Sequence, residues 1–397
     1  MATNLRETEA GIAQDGLSRI AAELRSDLAR TQQPIATART LPALAYTSQE
    51  VFAAEQRNIF GRMWLCVARE ADLPEAGDYL VQDVAGDSVI LVRGTDGVLR
   101  AMYNVCRHRG ARLIDETCGR GLSRIVCPYH AWTYKLDGSL AQLPRMDADF
   151  AREDFPLLPV RLGIYEGFVF INLDGAAEPL EQYLAELPDL RRFRMADLGC
   201  GKRVEYTVDA NWKLIGENYS ECYHCPGVHP QLFRVSDNLS RIDRPVETGD
   251  CFNGGPMVLR DGMQTMSMSG KRTVPVIPGL RPEDHKLVYY YFVYPNMFLS
   301  PHPDYVLTHT LWPIAPDRTR IVCEWLFTKE ALAQPGFDPS DMVEFWDVTN
   351  RQDWGLCERT QRGAQSRGFR PGPYHPSEDC VHTFDKWYAE RMAQALG

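Results

Sequence analysis

A chain of 397 residues, 44% hydrophobic and 24% charged, is long enough to bury one large core or two, which excludes disorder as its main property. A formal net charge of -10 excludes a nucleic acid or an anionic membrane as the main partner, because phosphate surfaces require an excess of clustered Lys and Arg. No apolar run approaches the roughly 20 residues that span a bilayer, the opening MATNLRETEAG lacks the basic-then-apolar layout of a signal peptide, and eleven cysteines are scattered from Cys66 to Cys380, so a cytoplasmic protein with reduced thiols and metal ligands is expected.

In chain order, Leu17, Ile20, Leu24 and Leu28 recur at helical spacing and predict an amphipathic helix within residues 1–45, packed on a later part of the chain. A second helix is predicted over about Ser48 to Trp64, with Ser48 as its cap. Two hairpins follow, turning at Asp96-Gly97 and Asp137-Gly138, since Asp-Gly supplies the positive backbone dihedrals of a tight turn. Gly167–Leu173 reads as a strand, and EPLEQYLAELPDL after it as a boundary between domains. Beyond it come a strand at KRVEYTV, a helix entering ENYSECYHCPGVHP that breaks at Pro226-Gly227, and a long Gly/Met/Ser-rich connection from Gly249 to Gly279. KLVYYYFVY, DYVLTHTLWPI and TRIVCEWLFT then suggest an antiparallel sheet. Asp338-Pro339 opens a helix of about 25 residues that runs to Gly363.

Between the hairpins lies the pattern C-x-H-x18-C-x2-H: Cys106, His108, Cys127 and His130. Two such turns can converge on one metal group, each supplying a thiolate and an imidazole, which is the ligand set of a Rieske 2Fe-2S centre. A Cys2His2 zinc site uses the same residues. Zinc knuckles usually separate the cysteines from the histidines, and here each knuckle holds one of each, which favours the cluster. Cys118 reads as a bystander, and Tyr129 and Trp132 as packing.

The second constellation is His224 and His229. Five residues apart, they would face different ways on one helix, but the break at Pro226-Gly227 lets the second fold back toward the first. In the late helix, Met342, Trp346, Thr349, Asp353, Leu356 and Thr360 form one stripe, and Asp353 is its only charge. A buried carboxylate needs a cation, either a metal or an arginine such as Arg351 or Arg359. Two histidines and a carboxylate make the facial triad of a non-haem iron site with open coordination positions. Asp347 is a rival third ligand, and Cys222 with Cys225 would suit zinc.

CRHRG…CPYHAW, then NWKLIGENYSECYHCPGVHP, then NRQDWGLCE resemble the catalytic α subunits of Rieske non-haem iron oxygenases, over roughly Val51 to Gly372. The resemblance implies an α+β fold: an all-β Rieske domain, placed at 46–165, and a helix-grip catalytic domain with an antiparallel sheet flanked by helices, placed at 166–397, on which residues 1–45 pack. It implies cluster ligands Cys106, His108, Cys127 and His130, iron ligands His224, His229 and Asp353, and a bridging acid at Glu221, three residues before His224 on the same helix. It also implies a homotrimer in which the cluster of one subunit serves the iron of the next. The inter-knuckle gap of 18 is longer than is common, and many ring-hydroxylating members have Asp at the bridge.

Glu at the bridge and GGPMVLRDGMQTMSMSG resemble the branch that oxidises quaternary ammonium compounds such as glycine betaine, stachydrine, carnitine or choline, in which N-methyl hydroxylation releases formaldehyde. A cation without N–H groups is held by ring faces and carboxylates. Tyr289, Tyr290, Tyr291, Phe292, Tyr294, Phe298, Trp312 and Trp325 are candidates, with Tyr291, Trp312 and Trp325 the substrate contacts chosen here. The chain holds no dinucleotide fingerprint, so electrons from NAD(P)H are expected through a separate flavin and iron-sulfur reductase. The alternatives are an aromatic-acid hydroxylase or O-demethylase with Arg260 as carboxylate clamp, a Rieske electron carrier, and a zinc-stabilised binding protein.

Overall fold

The computed structural model describes residues 20–146, 150–237 and 246–396, and Leu17 lies outside them. Chain contacts divide the protein into two compact units: Ile59–Tyr183 form one, and the described residues up to Asn58 together with those from Leu184 onward form the other. The boundaries therefore fall at 58/59 and 183/184 rather than at 45/46 and 165/166. The reason is strand pairing and burial: Phe168–Asn172 hydrogen-bonds to both Leu65–Arg69 and Pro159–Tyr165, whereas Glu55 is buried against Lys213. Among the described residues no helix is long and apolar enough to cross a membrane.

The Ile59–Tyr183 unit is built from antiparallel β-structure, a seven-stranded sheet and a three-stranded one. Both Asp-Gly turns form. Gly97 and Gly138 adopt φ of 77° and 89°, and the preceding aspartates accept hydrogen bonds from Val98 N (3.1 Å) and Ser139 N (2.8 Å). The second turn joins Thr133–Tyr134 to Leu140–Gln142, so the CPYH segment enters directly into a paired strand.

The other unit carries an eight-stranded antiparallel sheet. Gly199–Val208, Arg318–Phe327, Val306–Ala315, Met297–Pro301, Leu287–Val293 and Phe252–Leu259 lie side by side in that order. Phe252–Leu259 falls inside the stretch expected to be a connection. Its Gly254 and Gly255 hide the strand from composition, yet a Cβ at Gly254 would meet the Tyr290 carbonyl oxygen of the next strand at 2.0 Å, so glycine is what permits the pairing. The helices Trp212–Tyr219, Ser340–Ala364 and Asp379–Leu396 cover one face. Asn253, for example, donates to Cys380 O at 2.7 Å, and Tyr206 OH donates to Asp347 Oδ1 at 2.8 Å.

The second predicted helix is α-helical only over Gln49–Glu55, capped by Ser48 accepting from Val51 N, and widens to a π-type turn over Gln56–Phe60. The helix entering the histidine motif ends at Tyr219 and not at Pro226. Ser220 takes the cap position, its hydroxyl donating to Gly216 O at 2.7 Å, and the chain leaves the helical path before Glu221. Glu221 and His224 therefore do not share a helix face.

Trp212–Tyr219 is anchored by buried charge. Lys213 Nζ lies 2.6 Å from Glu55 Oε1, both side chains fully buried, and Glu55 also accepts from Trp212 Nε1 (2.9 Å) and Tyr388 OH (2.7 Å). Tyr46 OH donates to Glu217 (2.8 Å) and Tyr374 OH to Asp385 (2.6 Å). Burial pushes Asp385 up to about 7, with Glu378 adding to the rise, and holds Glu217 well above the ordinary carboxylate range, with Asp385 adding to it. Breaking a buried pair costs about 3–5 kcal/mol. Glu55→Ala is expected at the low end, about 3 kcal/mol, because Glu217 and Asp385 also act on Lys213. Urea denaturation of that variant against the double variant Glu55→Leu/Lys213→Met checks this, the double losing clearly less.

Candidate active site and cluster site

The two knuckles of the first constellation have the same backbone design. Cys106 N donates to Ala111 O and Gly110 N to Cys106 O, and Cys127 N donates to Trp132 O and Ala131 N to Cys127 O, at distances of 2.8–3.1 Å. Each turn closes on a left-handed residue, Gly110 (φ 72°) and Ala131 (φ 55°). Both thiols are buried and both imidazoles exposed, with the His108 and His130 ring centroids 4.7 Å apart. A cluster held by these four side chains would have its thiolate edge buried and its imidazole edge outward. Trp132 stacks on His108 at 4.8 Å and Tyr129 on His130 at 3.8 Å, holding the rings. Cys118 is exposed on the Cys118–Gly119 strand, paired to Tyr79–Val84. Tyr134 OH accepts from Arg107 N (3.0 Å) and lies 3.4 Å from Cys106 Sγ, placed to donate to a thiolate. Sequence reading missed this residue, whose only signal is its position in the strand after the second knuckle.

At the second constellation three donor atoms meet. His224 Nε2 and His229 Nε2 are 3.1 Å apart, and Asp353 Oδ1 is 3.2 Å from the first and 2.9 Å from the second. Donors at right angles around one ion, each about 2.1 Å from it, are about 3.0 Å apart, so this triangle fits one octahedral face. Both imidazoles are oriented through their other nitrogens. His224 Nδ1 is bonded to Glu221 Oε1, and His229 Nδ1 lies 2.7 Å from Gln352 Oε1. Gln231 Nε2 donates to that same Gln352 oxygen at 2.8 Å, fixing the amide's direction. With N–H on Nδ1, each Nε2 presents a lone pair to the centre.

Electrostatics point the same way. Burial acts to lower the His224 imidazole, but hydrogen bonds to Asp353 and Glu221 override it and push it up to about 10. Burial likewise opposes ionisation of Asp353, yet hydrogen bonds from both histidines hold its carboxyl below its ordinary value. The space among the three donors attracts positive charge, which a divalent cation supplies more fully than a proton. Asp347 is engaged elsewhere, with Tyr206 OH and Arg351 Nε, each at 2.8 Å. Cys222 and Cys225 are joined in a disulfide, so neither offers zinc a thiolate. Glu221, outside any helix, still meets His224 because the turn brings the backbone N–H groups of Tyr223 and His224 onto its carboxylate.

Two family models match: the Rieske [2Fe-2S] domain over residues 63–164 and the ring hydroxylating alpha subunit catalytic domain over 195–394. The chain is a Rieske non-haem iron oxygenase α subunit. It is similar to the glycine betaine monooxygenase oxygenase subunit of Pseudomonas aeruginosa, 31% identical over 388 residues and covering 90% of each chain. It is also similar to the carnitine monooxygenase oxygenase subunit of Escherichia coli, 35% identical over 344 residues, covering 83% of this chain and 86% of that one. The solved structure of a quaternary ammonium Rieske monooxygenase, described for carnitine oxidation and inter-subunit electron transfer, matches with a TM-score of 0.75 at 31% identity, over 91% of this chain and 96% of that chain. The oxygenase is accordingly an oxidoreductase of the type that carries a Rieske 2Fe-2S cluster and a mononuclear non-haem iron.

Of the three aromatic residues chosen from sequence, the sheet keeps one on the helix-covered face. Phe292, Phe298, His309 and Cys323 are register partners across four strands and share that face. Trp325, two residues from Cys323, lies on it. Tyr291 and Trp312 lie on the other face, Tyr291 OH donating to Glu247 (2.6 Å) and Trp312 standing opposite Arg320. One-residue alternation decides this, and composition cannot. The covered face instead presents Tyr219 stacked on Phe298 at 3.9 Å, Tyr290 at 6.2 Å from Tyr219, and Trp346 at 6.1 Å from Tyr290. Arg260 stacks on Phe233 and donates through Nε to the Phe233 and Ser236 carbonyls.

In this oxygenase Tyr134→Phe removes a donor from Cys106. A hydrogen bond of about 1 kcal/mol corresponds to ~40 mV for a one-electron couple, so protein-film voltammetry is expected to show a reduction potential lower by about that amount. Gln352→Leu frees His229 Nδ1 and is expected to weaken Fe(II) binding about 10–100-fold, read by equilibrium dialysis, with the visible spectrum of the cluster unchanged.

Proposed function

We propose that this oxygenase hydroxylates an N-methyl group of a small quaternary ammonium compound of the glycine betaine type and so demethylates it. The observation that carries the reading is the row Tyr219, Phe298, Tyr290 and Trp346 on the covered face. It starts at the end of the helix that leads into Glu221 and His224, and reaches the helix that carries Asp353. Ring faces attract a cation that has no N–H to donate. The Arg260 contacts leave the aromatic-acid alternative without a supporting observation.

Cys106, His108, Cys127 and His130 hold the cluster, and His224, His229 and Asp353 hold the iron. When bound, the two centres supply single electrons and dioxygen activation. Glu221 keeps the His224 proton on Nδ1, and Gln352 does the same for His229, so both Nε2 lone pairs stay available. Asp353 balances the site's positive charge. The aromatic row orients the ammonium with one methyl toward the triad. One methyl C–H, dioxygen, two electrons and two protons give the N-hydroxymethyl ammonium and water. That product loses its O–H proton as the C–N bond breaks, releasing formaldehyde and the tertiary amine. Exposed imidazoles at the cluster and the Glu221–His224 bond support a homotrimer in which the cluster of one subunit serves the iron of its neighbour, with a separate NAD(P)H-dependent flavin and iron-sulfur reductase as the electron source.

The test is formaldehyde release by the holoenzyme with a compatible reductase and NAD(P)H. Glycine betaine, stachydrine, carnitine or choline is expected to yield one formaldehyde per dioxygen consumed, and benzoate-type acids none. Betaines that neither release formaldehyde nor stimulate oxygen uptake would overturn the reading. Asp353→Ala is expected to abolish turnover and to lower the iron content by the one mononuclear ion, measured by metal analysis.

A further inference from the structure

His309 is a buried group the demethylation chemistry above does not use. It sits on Val306–Ala315 with only 3% of its surface exposed, on the covered face and opposite Phe298 in the register. Its ring lies 5.8 Å from Phe298, the ring on which Tyr219 stacks, and 6.4 Å from Trp354, the residue after Asp353. It is close enough to Asp353 to feel that charge. Neither ring nitrogen makes a hydrogen bond among the described residues, and the Nε1–H of Trp354 has no acceptor there either. Asn350 is the side chain that reaches the imidazole, its hydrogen-bonding influence opposing the effect of burial, but the approach falls short of hydrogen-bond geometry at both ring nitrogens. Buried polar groups are nearly always paired, so two adjacent rings with unanswered donors call for an acceptor from outside the protein.

The acceptor must suit a site built for a cation. An arginine here would bind a carboxylate but repel an ammonium a few ångströms away. Burial disfavours a charged imidazole and pushes His309 down to about 4, leaving a neutral ring with one N–H to donate. A neutral donor holds an anionic oxygen without placing a second positive charge beside the ammonium.

We propose that His309 is the specificity-determining contact for the carboxylate of a zwitterionic ammonium substrate, with Trp354 Nε1 as a second donor. This rests on the quaternary-ammonium reading of the site. It predicts that the enzyme discriminates betaines from carboxylate-free ammonium ions by hydrogen bonding at His309, while the aromatic row binds the head group common to both.

The experiment compares glycine betaine with ethyltrimethylammonium, which lacks any acceptor, on the iron-loaded holoenzyme. Kd by calorimetry and KM by formaldehyde release are measured for wild type, His309→Leu and His309→Gln. His309→Leu is expected to weaken glycine betaine by roughly tenfold to a hundredfold, the loss of a hydrogen bond to a charged group, and to leave ethyltrimethylammonium within about threefold. His309→Gln, which keeps an N–H, restores most of the betaine affinity. If His309→Leu does not fold, His309→Met supplies the same comparison. Equal losses for both ligands, or none for betaine, would overturn the proposal. Selective loss of betaine binding without formaldehyde from any ammonium compound would uphold His309 and overturn the demethylase reading.

Discussion

A fully buried Lys213–Glu55 ion pair is the constraint from which the catalytic unit is organised. Neither charge can remain in the interior unless both arrive together, because an unpaired buried ion costs several kcal/mol. Glu55 comes from the segment before the Rieske unit, Lys213 from the Trp212–Tyr219 helix, and Tyr388 from the C-terminal helix. Their meeting locks three distant pieces of chain together and fixes the height and rotation of one short helix. One edge of the iron site follows directly from that helix. Tyr219 is its last residue, and Glu221 and His224 follow within five residues.

The iron-site geometry then follows from hydrogen bonds one layer out. A free imidazole can place its proton on either nitrogen. Here each histidine has an acceptor at Nδ1, Glu221 for one and Gln352 for the other, and Gln231 in turn fixes the Gln352 amide. The Nε2 lone pairs and the Asp353 oxygen therefore converge with nothing but a cation to reconcile them. The cluster site shows the same economy in backbone form, two turns with one hydrogen-bonding pattern that bury the thiols and leave the imidazoles outside.

The difference between the two sites explains how legible each was. Cluster ligands lie on local turns whose residues signal themselves: Cys, His, Gly and Pro at fixed offsets between Asp-Gly hairpins. The carboxylate of the iron site was legible because a charge on an otherwise uncharged helical stripe is anomalous. Glu221 and His224 were rightly paired on the wrong grounds, since a turn after Tyr219 and not a shared helix face brings them together. Gln231 and Gln352 were silent because an amide at a helix surface is unremarkable until its partner is known. Tyr291 and Trp312 were misplaced because a run of adjacent aromatics does not reveal its parity, which is set by register against neighbouring strands.

By itself the sequence determined the family and its pairing of a cluster domain with an iron domain, and it pointed to candidate ligands, because metal donors must be particular side chains at spacings their local backbone can close. Only the tertiary structure decided which face each strand shows, where the entry helix stops, and which polar side chains in the interior are left without a partner. Those depend on pairing between segments more than a hundred residues apart, as between Glu55 and Lys213 or between His229 and Gln352. No local pattern records such meetings, because their free energy exists only once the segments are packed together.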